Sequence, residues 1–368
     1  MTDERFYVNS INVIAYRGLK NIKIDHCKNI NIILGDNNSG KTSFLESIYL
    51  LRNNDLYNFA NVAECRKNKT LSISDLSFMH PFDTKKIEIH AKKENSSINF
   101  SSTYSIKEIT FDKNYYFKDG SPSEKDVIGR ILESVIDRTN ANGKATKQYA
   151  GQIKYNDESN NFNIINLDFL RNIKKTDKKE NKITYISPSA HYTLSDNGFS
   201  RIIKNKGYHD IIVALLQLFD KNITDIIVAS GDDIFGSYGI EIRRKNHNES
   251  EPINLFGDGL KKVIVLATHL AQATGGILLI DEVETSLHYS LFNDVFSFLT
   301  LAAQKFNVQL FITTHSSETV DSMLNINDGI LENTCLITLK NFDDGIAYRY
   351  LEGKEMKDFR KNFSFEAR

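Results

Sequence analysis

One segment constrains this chain more than any other: residues 35–42, GDNNSGKT, match the pattern GxxxxGK[ST]. The largely apolar run Ile30 to Leu34 precedes the motif, and the amphipathic segment FLESIYLLRN follows it. A strand, a glycine-bearing loop and a helix in this order form the context in which the motif binds phosphate. Residues 6–35 read as two or three short strands, and the sequence therefore predicts an α/β fold with a phosphate-binding loop between the last of these strands and the helix that follows.

The residues of this loop have separate chemical roles. Small and turn-forming residues let successive backbone N–H groups curl around a phosphate at the positive end of the following helix. Lys41 is predicted to bridge the β- and γ-phosphates of a nucleotide, and the hydroxyl of Thr42 is predicted to bind Mg²⁺. The predicted nucleotide-contacting residues are Gly35, Asn37, Asn38, Ser39, Gly40, Lys41, Thr42 and Ser43.

Two more apolar runs end in polar residues that suit phosphate chemistry. Residues 277–280, ILLI, lead into Asp281 and Glu282, the pattern of a buried strand that delivers two acids at its carboxyl end. Asp281 is predicted to hold Mg²⁺, and Glu282 to polarise the attacking water. The run VQLFITT ends at His315, whose imidazole is predicted to sense the γ-phosphate and orient that water.

Composition limits the class of protein. The chain has 368 residues with 46 Lys+Arg against 47 Asp+Glu, and its net charge of -1 argues against holding nucleic acid by bulk electrostatics. A 40% hydrophobic content excludes a wholly disordered chain. Cys27, Cys65 and Cys335 lie in no metal-ligand spacing and read as reduced thiols. The charged start and the lack of a long apolar run predict a cytoplasmic protein without a membrane span.

The rest of the chain has weaker patterns. Residues 86–117 alternate like a β-meander, residues 127–138 have helical spacing, and residues 139–151 and 174–182 read as exposed loops. Residues 200–219 read as a helix, and TDIIVAS with GIEIRRK as a hairpin. Asp343 and Asp344 are interpreted as a turn between CLITLK and IAYRY, in preference to a metal site.

The order of these motifs resembles the ATPase head of the ABC superclass. In that resemblance residues 35–42 are the Walker A loop, residues 256–262 (FGDGLKK) the signature region, and residues 277–282 the Walker B strand. Residues 284–288 match the D-loop, and His315 the switch histidine. The phrases INVIAYRGLKNIKI, IDEVETSLH and ITTHSSE are similar to the RecF/SMC/OLD-like branch of this superclass.

The resemblance implies an α/β fold: an ABC-type P-loop NTPase head with a mixed central sheet, an antiparallel β subdomain and a helical lobe. It implies one head over residues 1–368, with residues 52–182 as an inserted β-meander and helical lobe. ATP and Mg²⁺ are the implied cofactors, and ATP is hydrolysed in the family between two heads arranged head to tail. Gly257 and Gly259 would then face the γ-phosphate on the partner subunit, although Phe256 and Asp258 depart from the usual signature.

The length of the chain discriminates within that branch. About 215 residues without heptads separate Thr42 from the signature region, which predicts a compact insertion instead of a coiled coil. The segment after His315 is too short for a fused Toprim nuclease. The chain therefore resembles the stand-alone ATPases of bacterial antiphage systems such as PARIS and Septu, which implies an oligomer that controls a separately encoded nuclease or toxin.

Two other functions stay open at this point. A RecF-like ATPase of DNA repair or maintenance would bind DNA, and its contact surface could include Arg243, Arg244, Lys245, Lys261 and Lys262. A transporter motor is the third class, and the signature without its serine counts against it. The glutamine that usually couples Mg²⁺ to the inserted lobe is not identified, and Gln152 and Gln217 are candidates by elimination alone.

Overall fold

The structure is a computed structural model. It describes residues 7–51, 62, 86–93, 99–111, 127–139, 145–156, 182–190, 199, 203–230, 238–245, 247–325, 328–343, 345–353, 355, 356 and 358. For residues 99–111, 127–139 and 145–156 only the backbone is described. Cys65, the final FSFEAR segment and most of the charged run at 174–182 lie outside these residues.

A mixed sheet of six strands forms the centre of the fold. Four of its strand pairs are parallel, and a last strand pairs antiparallel at one edge. The chain order across the sheet is β15-β14-β3-β13-β12-β8. Its strands are β3 (Ile30–Gly35), β8 (Ile183–Ile186), β12 (Ile277–Ile280), β13 (Gln309–Thr314), β14 (Thr334–Phe342) and β15 (Gly345–Glu352).

Helices cover this sheet, and alternate residues of its strands face two different cores. Ile32 of β3 packs in the larger core, whereas the next residue, Ile33, packs in the smaller one. Strands buried on both faces are near-continuously apolar, which is why β12 and β13 stand out in the sequence. The helices are α1 (Lys41–Tyr49), α2 (Lys206–Leu216), α3 (Asp258–Gln272), α4 (Phe292–Lys305), α5 (Ser317–Leu324) and α6 (Asp328–Leu331).

A second, antiparallel sheet of six strands has the order β2-β1-β4-β5-β6-β7. Buried residues of β1, β2 and β4 share the smaller core with α1 and with one face of the central sheet. This sheet therefore packs on the side of the central sheet that carries α1. Its strands are β1 (Val8–Tyr16), β2 (Leu19–Ile24), β4 (Lys86–Lys93), β5 (Asn99–Phe111), β6 (Val127–Thr139) and β7 (Ala145–Asn156).

Two predictions for the middle of the chain are wrong. Residues 127–138 form β6, not a helix, and β7 occupies much of the segment 139–151 that was predicted to be a loop. Pairing explains the first error, because β6 is paired along its whole length with β5 on one side and from Gly129 to Thr139 with β7 on the other. Its five Val and Ile residues, together with Gly129, also favour a strand over a helix. The helical lobe predicted within 52–182 stays a prediction.

A small antiparallel sheet lies beside α2 and α3. It consists of β9 (Ile223–Ser230), β10 (Tyr238–Arg244) and the short β11 (Glu251–Pro252), and β9 pairs with β10 as predicted for TDIIVAS and GIEIRRK. The predicted hairpin on either side of Asp343 is also confirmed, since β14 and β15 pair antiparallel. The predicted helix at 200–219 is shorter, with α2 covering Lys206–Leu216.

The two ends of the chain are joined in the central sheet. β3, near the start, lies between β13 and β14, near the end. The buried amide of Gln309 reinforces this joint: its Oε1 accepts from the N–H of Val8 at 2.9 Å, and its Nε2 donates to the carbonyls of Val8 and Lys28, each at 2.9 Å. The motifs of both ends can therefore meet at one site.

Candidate nucleotide site

The strand order brings the predicted site residues to one edge of the central sheet. β3, β13 and β12 are parallel neighbours, so their carboxyl ends meet at the same edge. The glycine-bearing loop follows β3, Asp281 and Glu282 follow β12, and His315 follows β13. The strand that ends in the two acids and the strand that ends in the histidine are parallel, as the sequence predicted.

The loop after β3 has the backbone of a phosphate cradle. Asn38 and Gly40 adopt the left-handed region, with φ of 64° and 92°, and Gly40 caps α1. A Cβ on Gly40 would lie 2.8 Å from side-chain atoms of Leu19 and Ile346. A Cβ on Gly35 would lie 2.4 Å from Oγ of Ser39. At Gly40 the positive φ and the crowding both disfavour a side chain, and at Gly35 the crowding alone excludes one.

Lys41 lies inside this loop and is largely buried. Its Nζ donates to the backbone carbonyls of Gly35 and Asp36, each at 2.7 Å. Burial lowers the pKa of the Lys41 ammonium, and the nearby carboxylates of Glu282 and Asp281 act in the opposite direction. Lys41 and the two acids thus share one electrostatic environment although about 240 residues separate them.

Asp281 is buried, with 1% of its surface exposed, and two side chains fix its carboxylate. The hydroxyl of Thr313 donates to Oδ1 at 2.5 Å, and the phenol of Tyr185 donates to Oδ2 at 3.1 Å. Thr313 comes from β13 and Tyr185 from β8, the two neighbours of β12. The carboxylate is therefore oriented from both sides.

Glu282 adopts a strained backbone conformation with φ of 46°. Its N–H donates to Oγ1 of Thr313 at 2.8 Å, so one threonine orients both acids. Oε2 of Glu282 accepts from the hydroxyl of Thr285 at 3.4 Å. The side chain is partly exposed, which leaves it accessible to a water molecule and a substrate.

Glu284 connects the turn after β12 to the end of β13. Its Oε1 accepts from Oγ1 of Thr314 at 2.8 Å and from the N–H of His315 at 3.0 Å. Nδ1 of the His315 ring also lies 3.0 Å from this oxygen. The imidazole itself is 53% exposed, so Glu284 anchors one ring nitrogen and leaves the other side of the ring open to solvent.

The signature region lies at the start of α3, and Gly257 precedes the first helical residue. A Cβ on Gly259 would lie 3.1 Å from the carbonyl of Ser286, whereas a Cβ on Gly257 would meet nothing within 4 Å. α3 therefore packs closely against the turn at 284–288. Asp258 is 44% exposed and its carboxylate pairs with Nζ of Lys261 at 3.2 Å.

Of the five basic residues considered for DNA binding, four are paired with acids or buried, whereas Lys245 is exposed. The guanidinium of Arg244 donates twice to the carboxylate of Glu251, at 2.6 and 2.7 Å. Arg243 lies 3.7 Å from Asp225. Lys262 is 0% exposed, so the expectation that it lines a DNA surface is wrong. The error arises because lysines of an amphipathic helix ordinarily lie on its solvent face. Here Lys262 lies among the buried apolar residues of α3.

Sequence reasoning missed three residues of this site. Tyr185 and Thr313 received no role, although both orient Asp281. Lys262 was assigned to the surface. Thr313 lies near the end of β13, two residues before His315, and this spacing in extended chain was a usable signal. Tyr185 gave no signal because its contact depends on the pairing of β8 with β12. Of the glutamine candidates, Gln217 donates to the carbonyl of Ile223 at 2.8 Å.

The donor set fits a nucleotide with Mg²⁺. The two glycines of the cradle exclude a Cβ, and the buried Oγ of Ser39 has no hydrogen-bond partner among the described residues. The hydroxyl of Thr42 in the first turn of α1 and the carboxylate of Asp281 are oxygen ligands of the kind that Mg²⁺ prefers. Both belong to loops that meet at the same sheet edge.

Residues 30–321 match the protein family described as "AAA domain, putative AbiEii toxin, Type IV TA system". The chain belongs to this family. This match includes the phosphate loop, the two acids and His315. The comparison agrees with the predicted P-loop ATPase class.

Relatives extend this AAA-domain assignment. The chain is 26% identical over 96% of its length to an "ATP/GTP phosphatase" of Helicobacter pylori, 98% of which is covered. It is 44% identical over 43 residues to the DNA replication and repair protein RecF of Clostridium perfringens, a match confined to 12% of each chain. The similarity to RecF is therefore local.

A solved structure confirms the predicted fold class. The AAA-domain chain resembles an SMC head bound to the C-winged helix domain of ScpA, with a TM-score of 0.50 at 15% identity, over 95% of this chain and 99% of the other. The fold is that of an SMC-head-like P-loop ATPase, with the predicted mixed sheet and antiparallel β subdomain. None of the described helices is long and apolar enough to cross a membrane.

Proposed function

We propose that this protein binds ATP with Mg²⁺ and hydrolyses it to ADP and phosphate. One observation carries the proposal: Lys41, the pair Asp281 and Glu282, and His315 converge on a single edge of the central sheet. Each is the residue type that nucleotide hydrolysis needs at its place in the fold. The Helicobacter pylori relative, described as an ATP/GTP phosphatase, supports the same activity.

The side chains divide the reaction between them. The phosphates lie in the cradle of residues 35–43, and the ammonium of Lys41 turns from the loop carbonyls to the β- and γ-phosphate oxygens. Thr42 and Asp281 would hold Mg²⁺, which would neutralise phosphate charge. The carboxylate of Glu282 accepts a proton from the attacking water, and His315 orients that water beside the γ-phosphate.

We further propose that two copies of the chain assemble head to tail on ATP. Gly257 and Gly259 begin α3, whose positive end suits a phosphate on the partner subunit. The exposed Asp258 between them is held by Lys261, which reduces the repulsion that its charge would exert on a phosphate. The family description, which names a toxin and a Type IV TA system, supports a role in bacterial defence.

In this role the ATPase works in the cytoplasm and senses or scaffolds in an antiphage complex. A separately encoded nuclease or toxin is the effector, and nucleotide-dependent assembly controls it. The alternative is a RecF-like ATPase of DNA repair, supported by the local similarity to RecF. The acids beside Arg243 and Arg244 weaken that alternative because they neutralise the basic surface.

Phosphate release from ATP and GTP by the purified protein tests the activity. Lys41→Ala is expected to abolish hydrolysis, and Glu282→Gln to slow it by about 100-fold or more while nucleotide binding persists. Lys305→Met removes an exposed lysine at the end of α4 and serves as the matched control for Lys41→Ala. Undiminished turnover in Glu282→Gln would refute its assignment as the general base.

Light scattering of Glu282→Gln with and without ATP tests the assembly, which is expected to grow larger with ATP. Co-purification with the product of the adjacent gene tests for an effector. DNA-stimulated hydrolysis with a steep dependence on salt would favour the repair alternative over the proposed one.

A further inference from the structure

Lys262 is a buried lysine whose ammonium makes no hydrogen bond within the described part of the chain. The residue is 0% exposed on α3, and its Nζ has no hydrogen-bond partner among the described residues. Burying an ammonium without a counter-charge is costly, so such groups are ordinarily paired. The surroundings of Lys262 should therefore contain a carboxylate whose negative charge balances the ammonium.

Among the described residues, Glu284 has a carboxylate oxygen that matches this requirement. Its Oε2 is also buried without a hydrogen-bond partner in the described part of the chain, whereas Oε1 takes all three contacts from Thr314 and His315. Burial lowers the pKa of Lys262 to about 8, and among the nearby acids that oppose this shift Glu284 acts most strongly, followed by Asp281 and Glu282. At neutral pH Lys262 is therefore a cation, and Glu284 stabilises its charge more than the other nearby acids do.

The backbone brings the two residues together. The first turn of α3 touches the turn after β12, where a Cβ on Gly259 would lie 3.1 Å from the carbonyl of Ser286. Lys262 is three residues after Gly259, so both lie on the same face of α3. The face of α3 that packs against this turn thus carries the ammonium, and the turn carries Glu284.

We propose that Lys262 is a positioning residue, whose ammonium is the counter-charge that orients Glu284 and through it His315. The two oxygens of Glu284 have different partners. Oε2 faces the ammonium of Lys262 on α3, and Oε1 accepts from the backbone N–H of His315 and lies beside its ring. A displacement of α3 changes the field at Glu284 and so changes the orientation of the imidazole. The signature region on α3 and the residue that senses the γ-phosphate are thereby coupled within one chain.

A double-mutant cycle on melting temperature tests the pairing without any enzymatic assay. Lys262→Met and Glu284→Gln are each expected to lower the melting temperature, and the double variant to lower it by less than the two changes combined. Lys261→Met is the matched control, since its ammonium pairs with Asp258, and its effect should add to that of Glu284→Gln. Simple addition of the Lys262 and Glu284 effects would overturn the pairing.

The positioning of His315 has its own measurement. Long-range ¹H–¹⁵N spectra of the imidazoles, with the His315 signal assigned by its loss in His315→Ala, should show a shift of that signal in Lys262→Met. Lys262→Arg retains the cation and should restore it. A His315 signal that is identical in the wild-type protein and Lys262→Met would overturn the proposal.

The kinetic consequence rests on the proposed function. Lys262→Met should lower kcat for ATP by about tenfold with KM changed less than about threefold, and Lys262→Arg should recover most of the loss. In a His315→Ala background Lys262→Met should cause no further loss of kcat. An equal loss in both backgrounds would overturn the coupling. If the wild-type protein hydrolyses no nucleotide, the proposed function fails, whereas the melting cycle and the spectra still decide this inference.

Discussion

Thr313 and Asp281 are joined by a hydrogen bond of 2.5 Å from the threonine hydroxyl to Oδ1 of the carboxylate. The same hydroxyl accepts the N–H of Glu282 at 2.8 Å, and the carbonyl of Thr313 accepts the N–H of Val283 at 3.2 Å. One threonine on β13 therefore sets the chain direction at the end of β12 and the rotamer of the buried acid. The neighbouring strand therefore contributes to the position of both acids.

We expect Thr313→Val to cost about 1–3 kcal/mol in the free energy of unfolding, because it leaves a buried N–H without an acceptor and Oδ1 without a donor. Urea denaturation measures this loss, and the rate of ATP hydrolysis should fall as well. Thr313→Ser keeps the hydroxyl and should retain most of both. Equal stability of the Val and Ser variants would show that the hydroxyl contributes nothing.

Gly259→Ala should destabilise the protein by about 1–3 kcal/mol, because its Cβ would lie 3.1 Å from the carbonyl of Ser286. Gly257→Ala is the matched control, since a Cβ there meets nothing within 4 Å and its φ of -64° suits alanine. The midpoint of urea denaturation distinguishes the two variants. A larger shift for Gly257→Ala would contradict the packing of α3 against the turn.

Gln309→Leu should weaken the joint between the two ends of the chain by roughly 3 kcal/mol, since it removes two buried hydrogen bonds to Val8 and a partly buried one to Lys28. Hydrogen exchange of β1 and β3 should accelerate, while that of α3 should change less. The exposed Gln304 of α4 supplies the control, and Gln304→Leu should leave both unchanged. Unchanged exchange in β1 of Gln309→Leu would argue against this joint.

Lys262 should make stability depend on pH in the alkaline range. Burial lowers its pKa to about 8 in the folded protein, against 10.5 for an ordinary lysine, so the unfolded chain binds more protons between these values. The free energy of unfolding should therefore rise with pH from 8 to 10.5 in the wild-type protein relative to Lys262→Met, and this gain is lost as the pH falls through 8. Denaturation curves across that range measure the difference. Lys261→Met keeps Lys262, and its pH profile should therefore match that of the wild-type protein. Parallel pH profiles for the wild-type protein and Lys262→Met would refute this assignment.

Much of the site was predictable because buried parallel strands are continuous apolar runs and bind ligands at their carboxyl ends. Residues 35–42, Asp281 with Glu282, and His315 each follow such a run, and the structure brings all of them to one edge. The surface assignment of Lys262 failed because the local pattern of α3 cannot report which face packs against the turn at 284–288.

The sequence by itself determined the elements whose chemistry is local: the phosphate loop with its two required glycines, the strands that end in acids and histidine, and the two hairpins. Tertiary structure alone decided the rest. It placed β13 between β3 and β12, turned residues 127–139 into a strand by pairing them on both sides, and joined Thr313, Tyr185 and Asp281. The physical reason is that hydrogen bonds and buried charges between distant segments form only when the whole sheet is assembled, and no local pattern of residues encodes them.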